Sequence, residues 1–113
     1  MSKQVTPDPV QAGASLTYTL RVTNTGNVDL HATITDTLPA HVTPGGVLTW
    51  TPTITTPDGI WSQTVVVNVE LGYTGTLTNH VQVTTLEGIT GETSSVVNVI
   101  GYKVYLPLVL RQS

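Results

Sequence analysis

A lysine amine, an asparagine carboxamide and a carboxylic acid can together form a bond without any cofactor. The amine displaces ammonia from the carboxamide while the acid helps. Lys3, on the first strand, and Asn98, on the last, are candidates for such a crosslink, with Glu70 or Asp36 as the acid. The plainer alternative is a lysine on a frayed terminus and an asparagine on a polar strand face. Three histidines invite metal chemistry. His31 and His80 fall on the solvent parity of strands expected to be neighbours, so they could face each other, while His41 sits in a loop. A metal pair needs a third ligand, and none has useful spacing. Calcium would need several converging oxygens from acids such as Asp29, Asp36 and Asp58. Asp36 falls on an inward parity and is expected to accept backbone N–H groups where its strand ends. Asn79, also inward, is expected to be satisfied by backbone groups.

Other reactive patterns are missing. The chain has no cysteine, so thiol catalysis, disulfides and zinc–thiolate sites are excluded. No G-x-S-x-G elbow, phosphate-binding glycine loop or H-E-x-x-H motif occurs. The seven carboxylates are dispersed among turns and strand ends. The expectation is a protein that is not an enzyme, with no cofactor and no metal site. Four scattered Lys and Arg among 113 residues cannot build a phosphate-tracking stripe, which argues against nucleic acid. No apolar run approaches the roughly 20 residues that span a bilayer. The longest, Val104 to Leu110, is interrupted by Pro107. Met1-Ser2-Lys3 has no apolar stretch behind it, so no secretory signal is read in this sequence, which is taken as a fragment of a longer parent.

The elements that would position these groups are strands. Thr supplies 22 residues and Val 17, side chains that suit a pleated surface and crowd a helix. From Ser15 to Asn24, Leu16, Tyr18, Leu20 and Val22 share one face and Thr17, Thr19, Arg21 and Thr23 the other. Leu30, Ala32 and Ile34 repeat the pattern after a turn at Thr25-Gly26-Asn27. Pro39 closes that strand. Further strands are predicted around Lys3 to Val10 (broken at Pro7 and Pro9), Val47 to Thr51, Gln63 to Leu71, Thr76 to Thr85 and Ser94 to Ile100. About seven short strands in about 100 residues predict an all-β, immunoglobulin-like two-sheet β-sandwich, with a closed barrel as the alternative. The domain is placed at residues 1–101. Residues 102–113 form an apolar tail: Tyr102, Val104, Leu106, Leu108 and Leu110 share one parity and could extend the last strand or pair with another chain.

Three motifs in order resemble a known bacterial repeat. Residues 10–30 read VQAGASLTYTLRVTNTGNVDL, residues 32–40 ATITDTLPA and residues 75–84 GTLTNHVQVT. They are similar to a surface-protein repeat catalogued as a domain of unknown function, the eleventh in its series, across roughly residues 3 to 100. His80 stands where that family more often has Thr, and the central loop diverges. The resemblance implies an immunoglobulin-like sandwich in secreted or wall-attached bacterial proteins, often in tandem, serving as spacer or stalk. The tail, YKVYLPLVLR at 102–111, resembles a short signature ending exported proteins in one group of filamentous bacteria, which implies a sorting or anchoring role.

The expected function is therefore a structural or spacer domain, extracellular or at the cell surface. Its partners would be neighbouring domains of the parent, and a homo-oligomer could form through the tail. The alternative is an adhesion module, in which Trp50 and Trp61, flanking an irregular segment, stack on carbohydrate or meet a protein partner. Against that, two such large side chains also serve as core anchors.

Overall fold

The computed structural model describes residues 1–101; the tail positions Tyr102, Val104, Leu106, Leu108 and Leu110 lie outside the described residues. Among the described residues ten strands follow in chain order: β1 (Ser2–Thr6), β2 (Val10–Gln11), β3 (Ser15–Thr23), β4 (Leu30–Thr37), β5 (Val42–Thr43), β6 (Val47–Trp50), β7 (Thr53–Ile54), β8 (Ile60–Val69), β9 (Gly75–Thr85) and β10 (Thr90–Ile100). They form two facing sheets of an immunoglobulin-like sandwich. The first sheet runs β1-β3-β8-β5 and the second β2-β10-β9-β4-β6, with β7 pairing β4 beyond that path. Two separate sheets set the barrel alternative aside.

The count exceeds seven for identifiable reasons. Pro7 and Pro9 split the first strand, because neither can donate to a ladder. Its halves join different sheets: Lys3 pairs with Leu20 in the first, and Val10 runs parallel to Val99 in the second. The proline-punctuated middle contributes three segments of two to four residues. β10 begins at Thr90 rather than near Ser94 because the preceding turn is tight. Thr85 closes it twice, its backbone N–H donating to the Ile89 carbonyl at 3.0 Å and its Oγ1 accepting from the Ile89 N–H at 2.9 Å.

Alternation decides what is buried. Leu16, Tyr18, Leu20 and Val22 of β3 point inward, as do Val65, Val67 and Val69 of β8 and Leu77, Val81 and Val83 of β9. Each such Val or Leu contributes about 1.5–3 kcal/mol when fully buried. The apolar core falls into two clusters, one around Leu16, Tyr18, Leu38, Val67, Leu77 and Val97, the other around Leu20, Ile34, Ile54, Val81 and Val83. Between them lies a waist that is not apolar.

Candidate functional site

Each strand crossing that waist places a polar side chain on the inner face. On β4, Asp36 lies between Ile34 of one cluster and Leu38 of the other; on β9, Asn79 lies between Leu77 and Val81. Both are 0% exposed. Asp36 is paired with Val81, so Asn79 is its diagonal neighbour on the same face. Ser95 of β10 is paired directly with Asn79. From the opposite sheet, Lys3 of β1 turns inward, and its Nζ stands 4.9 Å from the centre of the Tyr18 ring.

These groups lack ordinary partners. Among the described residues, every buried side-chain nitrogen or oxygen without a hydrogen bond belongs to Lys3, Tyr18, Asp36, Asn79 or Ser95. Burial is the main influence on their charge states. It pushes the Lys3 amine down to about 8, opposed by the nearby Asp36 charge. It raises Asp36, against the opposing pull of the Asn79 amide and of Lys3. It also pushes the Tyr18 phenol up to about 12, with Asp36 adding to the rise. The Asn79 amide therefore stands close against the Asp36 carboxyl, although neither has the alignment of a formed hydrogen bond. An unpaired buried polar group costs about 1–3 kcal/mol, and a domain has only about 5–15 kcal/mol of net stability. A fold carrying five such residues at one spot has concentrated a large penalty there.

Two expectations are corrected. Asp36 does not accept backbone N–H groups at a strand end, because its inward position buries both oxygens in the core, where neither has a hydrogen-bond partner. Asn79 is not satisfied by backbone groups, since the flanking ladder already uses them. The crosslink trio of Lys3, Asn98 and Glu70 is not brought together either. Asn98 alternates outward between buried Val97 and Val99, and the carboxylate of exposed Glu70 accepts from the His41 ring at 2.8 Å. Lys3 instead lies near enough to Asp36 for their charges to act on each other, and Asn79 is the inner-face neighbour of Asp36. The signal was available in the inward parity of Asn79 and Asp36, but linking them to Lys3 required knowing which faces oppose.

The remaining candidates disperse. His31 and His80 sit on neighbouring strands but not opposite one another: His80 is paired with Thr37, six residues along β4 from His31. Each histidine has its own glutamate: His31 with Glu87 at 2.8 Å, His41 with Glu70 at 2.8 Å and His80 with Glu92 at 3.5 Å. The His31 contacts hold the Glu87 carboxyl below its ordinary range. No group of three or more His, Cys, Asp or Glu capable of holding a metal occurs among the described residues. Asp29 is occupied by the Thr56 N–H at 2.8 Å. Trp50 and Trp61 pack on each other at 5.5 Å and against the core, half-buried, at the side where β6 and β8 flank the sandwich. That geometry serves the core-anchor role. A shallow recess is lined by Met1, Leu30, Ile54, Val83 and Ile89 together with the threonines Thr23, Thr85 and Thr90.

Sequence reading missed Asn24. Its amide donates to the carbonyls of Val28 at 2.8 Å and Ile54 at 2.9 Å, and its Oδ1 accepts from the Gly26 N–H at 3.0 Å. This buried side chain ties the turn after β3 to β7. No protein-family model matches the chain, and no curated protein matches it either.

Proposed function

We propose that this sandwich is a structural spacer domain of an exported or cell-surface bacterial protein, working by position and stiffness rather than by turnover. The carrying observation is the placement of the two ends. Met1 lies beside Gly91, at the start of β10, whereas the described chain leaves after Ile100 at the other end of that strand. At about 3.3 Å per residue, an eleven-residue strand separates those points by roughly 30 Å. A chain that enters one pole and leaves at the other spaces its neighbours in line. The surface-repeat motifs support the bacterial, exported setting, with neighbouring domains of the parent as partners. The outward faces of β3, β4 and β9 are rich in Thr, a solvated surface of little net charge.

Small-angle scattering on one, two and three copies joined end to end tests this reading. The maximum dimension should grow by a constant increment per copy. Compact particles whose dimension rises only slightly would contradict it.

A further inference from the structure

The waist of the core holds an amine, a carboxamide and a carboxyl, all sealed from water and all without hydrogen-bond partners. Two belong to the second sheet, and the amine arrives from the first, steadied over the face of Tyr18. Lone buried polar groups are rare in native folds. Three of complementary reactivity at one place are a reaction centre rather than a packing accident. We propose that Lys3 and Asn79 become joined by an isopeptide bond, Nζ to Cγ, formed within the folded sandwich with Asp36 relaying the proton.

The step balances without an external reagent. The neutral Lys3 amine attacks Cγ of Asn79 while the Asp36 carboxylic acid donates to the amide. A new C–N bond forms to Nζ, and the C–Nδ2 bond breaks. Asp36 takes up the proton lost by Nζ and passes it to the departing nitrogen, which leaves as ammonia, and the proton first lent to the amide oxygen returns to Asp36 as the carbonyl re-forms. Asp36 ends protonated, as it began, and nothing is oxidised or reduced. Burial favours the two neutral forms this requires, since it lowers the affinity of Lys3 for its proton and raises that of Asp36. Effective concentration inside a packed core supplies the rest. The product removes a buried amine and leaves an amide whose N–H and carbonyl face the Asp36 acid.

The bond would join β1 at the edge of one sheet to β9 within the other. Tension entering at Met1 would then pass from Lys3 directly to Asn79, leaving residues 4–78 outside the covalent load path. The proposal stands on the core geometry and does not depend on the spacer reading.

Intact-mass spectrometry of the purified, denatured chain tests it. The wild-type mass should fall short of the sequence by one ammonia, whereas Lys3→Met, Asn79→Ala and Asp36→Asn should each retain the full mass. A folded wild-type chain at full mass overturns the proposal. So does an ammonia deficit that persists in Lys3→Met, because the loss would then come from elsewhere. A deficit that persists in Asp36→Asn overturns the role given to Asp36. The wild-type measurement decides even where a variant fails to fold.

Discussion

Asp36 and Asn79 are diagonal neighbours on the inner face of the second sheet, both fully buried and both without a formed hydrogen bond. Asn24 marks the contrast. It is the same residue type as Asn79 and equally enclosed, yet each end of its amide is engaged by backbone. One asparagine is built into the scaffold, and the other is held in reserve against an acid and an amine.

Replacing Asn24 with Ala should therefore destabilise the fold without touching the waist. The Val28 and Ile54 carbonyls lose their donor, at about 1–3 kcal/mol for the buried groups left unpaired. Urea unfolding should show a lower midpoint. The ammonia deficit should survive in whatever fraction remains folded.

Loss of the crosslink should cost more than loss of a surface charge. A bond between residues 3 and 79 closes a long loop in the unfolded chain, and by the chain-entropy estimate for crosslinks such closure is worth about 4 kcal/mol. Lys3→Met removes the bond but also removes a buried amine, so the net loss should be about 2–4 kcal/mol once that relief is counted. Equilibrium urea unfolding of wild type and variant checks this. Equal midpoints would mean the wild type carries no such closure.

A pH profile separates the joined and open states. In Asn79→Ala the Lys3 amine stays free, with a folded pKa lowered to about 8 from the ordinary 10.5. Between those values the unfolded chain binds the proton and the fold does not, so stability rises with pH across that window. Asp36, near Lys3, has a raised folded pKa because it is buried, so its own contribution falls as pH climbs from the ordinary carboxylate range through the folded value, opposite in sign to the Lys3 gain. Tyr18, raised to about 12, opposes the gain only above its ordinary value of 10.0. The urea midpoint of Asn79→Ala should thus be higher at pH 9.5 than at pH 8, at about the middle and the foot of the Lys3 window. Wild type, whose Lys3 nitrogen is an amide, should lack that rise.

The scaffold was largely legible because period-two alternation is local. Leu16 to Val22 declared the inward face of β3, and the TNTG and TDTLP segments declared where strands turn and stop. Boundaries slipped where side chains set the turn, as at Thr85, whose hydroxyl bond to Ile89 starts β10 early. The site was half legible. Parity places Asp36 and Asn79 inside and nominates Lys3 for a crosslink, but Asn98, the amide read as its partner, faces outward. Which inward residues meet across a sandwich depends on how two sheets stack, and no periodicity within one strand encodes that. Asn98 also failed on parity, since the buried neighbours Val97 and Val99 force it outward.

The most direct test of the account is a tryptic map of the unfolded wild-type chain. The only lysines and arginines are Lys3, Arg21, Lys103 and Arg111, so unmodified protein should release residues 1–3, 4–21 and 22–103 separately. A Lys3–Asn79 bond should give no cleavage at Lys3 and a branched species joining residues 1–21 to 22–103, one ammonia lighter than their sum, with fragmentation placing the junction at Asn79. Recovery of residues 4–21 and 22–103 as separate, unmodified peptides would contradict it.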